Sequence, residues 1–214
     1  MNILLIGGSG TLGNRLISVL KNKKNNIMIV CRRRPKNWAI QKLYYKYFFL
    51  DYYKDKSLRN KLLKKKIDIV INFICFNEKQ ARLDFELFKN YNLQKYFFIS
   101  ANGVYKSKKG FINVNDKLDS CNDDYIQDKI NAENYLLSKK HLFPSKIIRL
   151  SHIYDEQNIP TLFRSRSFTI LKCFKNDGIF HLVSKKNNKW NIIHAKDFAK
   201  IFKKIINYKK NYAN

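Results

Sequence analysis

Met1-Asn-Ile-Leu-Leu-Ile-Gly-Gly-Ser-Gly-Thr-Leu-Gly13 is the stretch on which the reading of the whole chain turns. Residues 3–6 form a continuous apolar run, the pattern of a strand buried on both faces, as strands of a parallel sheet are. Leu12, Leu16, Ile17 and Leu20 follow at helical spacing and predict a helix over 11–21. The turn between them reads as Gly8-x-Gly10-x-x-Gly13 or as Gly7-x-x-Gly10-x-x-Gly13. Glycines there permit a tight turn and close backbone approach to a diphosphate, while the helix N-terminus presents unpaired N–H groups and the positive end of its dipole. A strand before and a helix after are what separate a dinucleotide site from an ordinary glycine turn. Gly7, Gly10, Thr11, Leu12 and Gly13 are therefore candidate cofactor-binding residues.

The same alternation continues outward. Apolar runs at 27–31, 47–50, within 67–76, at 96–100 and at 146–150 predict five further strands. Helical spacing appears in Leu58, Leu62 and Leu63, in Leu83, Leu87 and Phe88, and over 125–138 through Ile126, Ile130 and Leu137. Strands alternating with helices give an α/β class, a Rossmann-like doubly wound parallel sheet. After Ser151 the rhythm changes: short strands are expected at 179–184 and 191–195 and a helix over 197–206. The expected organisation is a dinucleotide-binding domain over 1–150 and a small C-terminal substrate lobe over 151–214.

Composition narrows the function classes. With 214 residues and 45% hydrophobic side chains the chain can bury a core. The net charge is +27, from 43 basic and 16 acidic residues. The lysines lie in scattered short clusters, in a chain also rich in Asn, Ile, Tyr and Phe, which points to compositional drift before a dedicated nucleic-acid surface. Salt-dependent, non-specific attraction to polyanions is still expected. Cys31, Cys75, Cys121 and Cys173 have no metal-ligand spacing, and buried free thiols in a reducing compartment are the default. The four histidines are unpaired, so no metal site is expected. No apolar run is long enough to span a bilayer and no signal peptide is evident, which leads to a cytoplasmic expectation.

Two features bear on chemistry. Where an acidic residue after the second strand would bind the ribose diol of NAD, this chain has Cys31-Arg32-Arg33-Arg34. Arg32 and Arg33 can pair with a 2′-phosphate, which favours NADP over NAD; the alternative is a solvated basic turn. Tyr125-Ile-Gln-Asp-Lys129 puts a phenol and an ammonium one helical turn apart on one face. A neighbouring cation favours the phenolate, and so makes a tyrosine a usable base near neutral pH. Tyr and Lys at this spacing are common by chance in such a chain, and the pair gains weight from the dinucleotide turn upstream. Asp123 and Asp124 precede that helix and are expected to cap it.

Gly7-x-x-Gly10-x-x-Gly13, Phe98-Ile-Ser-Ala-Asn-Gly-Val-Tyr105, Tyr125-x-x-x-Lys129 followed by Ala132-Glu133, Ile148-Arg-Leu-Ser-His-Ile-Tyr154 and Ile193-His-Ala-Lys-Asp197 occur in this order over nearly the whole chain. Together they resemble the extended short-chain dehydrogenases/reductases, the NAD(P)-dependent epimerase/dehydratase group. The resemblance implies that Tyr125 is the acid/base, that Lys129 orients the nicotinamide ribose, and that Asp51, with Tyr52 beside it, lies near the adenine. It also implies a hydroxyl or carbonyl substrate, a nucleotide sugar by analogy, and a homodimer built on helices that include the Tyr–Lys one.

Three departures qualify it. Ala101 stands where the family usually has Ser or Thr, a hydroxyl that donates to the reacting oxygen. Ser100 is the neighbouring hydroxyl and the third catalytic candidate, although adjacent strand residues face opposite sides; Asn102 is the other polar side chain nearby. Leu150 replaces a frequent Pro after Arg149, and the chain is shorter than usual members, which implies a small or open substrate pocket. The alternative reading is a catalytically impaired NAD(P)-binding member, or an RNA-binding one, since the chloroplast stem-loop-binding group combines a similar Ile-Gly-Gly start with RNA association.

Overall fold

Each strand of the main sheet pairs parallel to its neighbours, in the order β3-β2-β1-β4-β5-β6. The computed structural model describes residues 1–35, 45–106, 110–120, 122–156, 175–176 and 191–208. Its elements are β1 (Asn2–Ile6), α1 (Thr11–Leu20), β2 (Asn26–Cys31), β3 (Lys46–Phe49), α2 (Lys56–Leu63), β4 (Ile69–Asn72), α3 (Glu78–Phe88), β5 (Lys95–Ala101), α4 (Asp124–Ser138), β6 (Ser145–Leu150), β7 (His152–Tyr154), β8 (Ile192–His194) and α5 (Ala195–Asn207). A single 3-10 turn, Asn102–Val104, follows β5.

The strand order is that of the Rossmann fold, with the direction of winding reversing between β1 and β4. The reversal leaves a crevice at the carboxyl ends of β1 and β4, the place where doubly wound sheets bind ligands. β1 is central, and Ile3, Leu4, Leu5 and Ile6 are all completely buried, which is why the run shows no alternation. On one face Tyr96 and Phe98 of β5 join Phe85 and Phe88 of α3 and Ala132, Tyr135 and Leu136 of α4 in one core.

The chain divides into two compact units, Met1–Leu150 and Ser151–Asn214. In the second, β7 pairs parallel with β8, and the His194 side chain caps α5 by accepting from Lys196 N at 3.2 Å. The Phe198 and Phe202 rings stack on that helix, 5.1 Å apart. β7 escaped the sequence reading because three residues carry no period to detect, and the strand expected at 179–184 lies outside the described residues. Cys31 and Cys75 are buried free thiols, while Cys121 and Cys173 lie outside the described residues. Among the described residues no helix is long and apolar enough to cross a membrane, and no cluster of His, Cys, Asp or Glu could hold a metal ion.

Candidate active site

The glycine turn between β1 and α1 is shaped by close approach. Gly7 has φ +78°, and a Cβ there would sit 2.4 Å from Ile74 Cγ2. Its N–H donates to Val30 O at 2.9 Å, tying the turn to β2. A Cβ on Gly13 would lie 2.2 Å from Gly8 O, so the helix meets the turn backbone to backbone. Gly10 differs: a Cβ there would meet nothing within 4 Å. It is the N-cap of α1, supplies no side-chain cap, and no acidic residue occupies the first turn. The positive end of the helix is thus uncompensated by any carboxylate of its own, above open space, which fits a diphosphate.

Beside the turn, burial pushes the Cys31 thiol up, against a smaller opposing hydrogen bond with Ser9. Arg32 and Arg33 are exposed at the end of β2 and form no ion pair with a described residue. Arg34 lies over the Phe49 ring, 5.5 Å from its centroid. Asp51 starts a turn in which its carbonyl accepts from Lys54 N and Asp55 N at 3.0 and 2.8 Å, and its carboxylate takes no part. The Tyr52 ring is 0% exposed and packs into the core, which leaves its main chain as the part that could face an adenine. The chain there alternates sides, and Asp51 has the outward one.

The tyrosine–lysine pair sits at the far side of the crevice. Asp123 caps α4, accepting from Ile126 N at 3.2 Å, and this sets the first turn that carries Tyr125. Tyr125 is 37% exposed, whereas Lys129 is 1% exposed. The Lys129 ammonium donates to Cys75 O at 2.6 Å and Ile99 O at 2.8 Å, at the carboxyl ends of β4 and β5. It lies 4.7 Å from the Phe98 ring centroid, 5.0 Å from that of Phe76 and 5.9 Å from that of Tyr125. Burial pulls its pKa down to about 8, with Cys75 and Glu133 opposing the shift. An ammonium has three donors, and two go to these carbonyls, leaving one for a ligand.

Ser100 does not join this pair as an exposed donor. It is 5% exposed and its hydroxyl has no partner. Side-chain alternation puts it on the same side of β5 as Tyr96 and Phe98, which face the core. Ala101 points the other way, onto the small cluster of Val104, Ile126 and Ile130. The Asn102–Val104 turn packs against the start of α4, close enough that a Cβ on Gly103 would sit 2.9 Å from Ile126 Cδ1.

Two buried polar networks brace the site, and the sequence reading assigned neither. Glu133 is fully buried, and its Oε2 accepts from Arg149 Nε at 3.0 Å and Nη2 at 2.7 Å. Arg149 Nη1 then donates to Tyr105 Oη at 2.9 Å and Val114 O at 3.0 Å, fastening those two residues to β6. Asp84, also fully buried, accepts through Oδ2 from Tyr96 Oη at 2.5 Å, Tyr53 Oη at 3.1 Å and Asn72 Nδ2 at 2.7 Å. Burial pushes its carboxyl up to about 6, and the hydrogen bonds only partly offset this. The signal for Asp84 was its register: it shares the buried face of α3 with Ala81, Phe85 and Phe88.

Over residues 3–214 the chain matches the NAD dependent epimerase/dehydratase family. The chain belongs to that family. Among curated proteins, this family member is 26% identical over 197 residues to the dTDP-D-glucose 4,6-dehydratase of Dictyostelium discoideum, a match covering 74% of this chain and 45% of the relative. Thus the chain spans less than half the length of that relative. Its fold is similar to that of UDP-glucuronic acid 4-epimerase from Bacillus cereus, solved with UDP-glucuronic acid and NAD: TM-score 0.80, 20% identity, 99% of this chain and 74% of that one. UDP-glucose 4-epimerase from Bifidobacterium longum, solved with NAD+ and UDP, gives a TM-score of 0.77 at 16% identity, over 99% of this chain and 75% of that one.

Proposed function

We propose that Met1–Leu150 binds a nicotinamide dinucleotide and that the chain acts on a hydroxyl or carbonyl carbon of a nucleotide sugar, with Ser151–Asn214 as the substrate lobe. The observation that carries the reading is Gly10: open space and no acidic or capping side chain at the head of α1, directly above the switch point of the sheet. The neighbours solved with NAD and either UDP-glucuronic acid or UDP support the same choice of ligands. Thr11, Leu12 and Gly13 would hold the diphosphate through main-chain N–H groups, with Gly7, whose own N–H is bonded to Val30 O, shaping the turn beneath it. Asp51 would hold the adenosine end, and the free N–H of Lys129 the nicotinamide ribose.

The nicotinamide supplies acceptance and return of a hydride. The chain's own residues handle the proton. Tyr125 Oη, as phenolate, would take the proton of the substrate hydroxyl in the oxidising direction and would return it in the reducing one. Lys129, held on two carbonyls, contributes a fixed positive charge beside the phenol. Arg32 and Arg33 favour NADP, because two exposed guanidinium groups just after β2, with no ion pair to a described residue, suit a 2′-phosphate. A second reading, a dinucleotide-binding protein with weakened catalysis, is favoured by Ala101, since the adjacent Ser100 hydroxyl is buried. Losing such a donor typically costs about 100- to 1000-fold in rate.

Fluorescence titration with NADPH and NADH tests the binding, with saturation expected for both and NADPH tighter. Tyr125→Phe separates the two readings. It should abolish turnover of a nucleotide sugar while leaving dinucleotide affinity unchanged; turnover equal to wild type removes Tyr125 from the chemistry.

A further inference from the structure

Lys129 sits in a cage of which one wall, the Phe76 ring, has no role in the reading above. The floor is Phe98, fully buried, with the carbonyls of Cys75 and Ile99 beside it. The water-facing side is two rings, Tyr125 at 37% and Phe76 at 42% exposed, tilted at 49° with centroids 6.3 Å apart. Tyr125 belongs to the proposed chemistry, whereas Phe76 does not. Its position is nonetheless closely fixed. Phe76 N donates to Gln80 Oε1 at 2.6 Å, and the next residue, Asn77, caps α3 by accepting from Gln80 N at 3.0 Å. An aromatic ring of this size, standing half in water at the carboxyl end of β4, gains little by burial. It gains through the cation 5.0 Å from its centroid, which it also shields.

We infer that Phe76 is a positioning residue: its ring closes the aromatic cage over the Lys129 ammonium, keeps bulk water from it, and holds it on the Cys75 and Ile99 carbonyls for the dinucleotide. This rests on the proposed role of Lys129 toward the nicotinamide ribose.

The groups that act on the ammonium are few. From its own helix they are Tyr125 and Glu133, and Glu133 is already held by Arg149 of β6. From the segment after β4 there is the Cys75 thiol, itself pushed up by burial and by Asp84 of α3. From β5 there is no charged group, only Phe98 and a carbonyl. Desolvation is thus the largest influence on Lys129, and of the two rings on its water-facing side Phe76 is the one that can be replaced while the proposed acid/base is kept.

The experiment follows the Cε signals of 13C-lysine-labelled protein over pH 6–11, with Lys129 assigned from a Lys129→Arg variant. In the wild type the Lys129 midpoint is expected at about 8. Phe76→Ala should raise it by about one pH unit or more as water reaches Nζ, while Phe76→Trp, which restores a ring, should hold it near wild type. A midpoint unmoved in Phe76→Ala overturns the proposal, as does one raised equally in Phe76→Trp.

NADH titrations on the same proteins read the consequence. Wild-type affinity should fall as pH rises through the Lys129 midpoint, and in Phe76→Ala the fall should move to higher pH by the same interval. A fall that stays in place overturns the positioning role. No NADH binding by the wild type at any pH overturns the dinucleotide reading and the use of the cage with it, and the Cε titration still reports separately whether Phe76 seals the ammonium.

Discussion

At the carboxyl end of β1 the molecule is held in shape by missing side chains; at the carboxyl ends of β5 and β6 it is held by present ones. Gly13 lies so near Gly8 that a Cβ would come within 2.2 Å of its carbonyl oxygen, and the side-chain bond from Asn14 Nδ2 to Ser9 O, at 3.1 Å, spans only five residues. Across the crevice, Lys129 reaches back 54 residues to Cys75 and 30 to Ile99, and Arg149 spans 16 to Glu133 and 44 to Tyr105. The first kind of order is local and steric. The second is a set of long-range polar contacts among buried groups, each of which is costly to leave unpaired.

The contrast can be broken from either side. Arg149→Met should have the largest effect, because it leaves the fully buried Glu133 carboxylate without its partner. A loss of about 3–5 kcal/mol is expected in urea unfolding, and a loss below about 1 kcal/mol would mean that this half is not held by its ion pair. Gly13→Ala comes next. It must push α1 from the turn, and a loss of about 1–3 kcal/mol together with loss of dinucleotide binding is expected. Wild-type stability in that variant would show that the backbone contact can relax and the turn is not sterically set.

A smaller, pH-dependent effect comes from Asp84, whose carboxyl is raised from its ordinary 3.8 to about 6 in the folded chain. The folded state therefore binds the proton more tightly than the unfolded state between those values. Its contribution is present at low pH and lost as pH rises from about 4 to about 6, by at most about 3 kcal/mol. Asp84→Asn should lack this decline, so the difference between variant and wild type, measured by unfolding at pH 4, 5, 6 and 7, should change over that window. Parallel stability curves would contradict the buried, protonatable state.

The same distinction explains what could be read from the chain. The strand–glycine–helix opening, the alternation that follows and the parallel sheet were all legible, because each is carried by residues within one or two turns of one another. So was the helical register of Tyr125 and Lys129. The burial of the Tyr52 ring beside Asp51 was not legible, because the short segment after β3 carries too few residues to fix a period. Ser100 was chosen for its hydroxyl, which the strand's register directs to the core side with no partner. Glu133, Asp84 and Phe76 carry no local signal of their partners. Of these Asp84 and Glu133 each had a register, an acid on an apolar helix face, that could have betrayed it.

Gly10→Ala, titrated with NADH and NADPH, asks whether the open head of α1 receives a diphosphate. A methyl there touches nothing in the protein, so urea stability should change by less than about 1 kcal/mol, while affinity for both dinucleotides should fall at least about tenfold through loss of close backbone approach. Equal affinity in wild type and variant, or no saturable binding of either dinucleotide by the wild type, would contradict it.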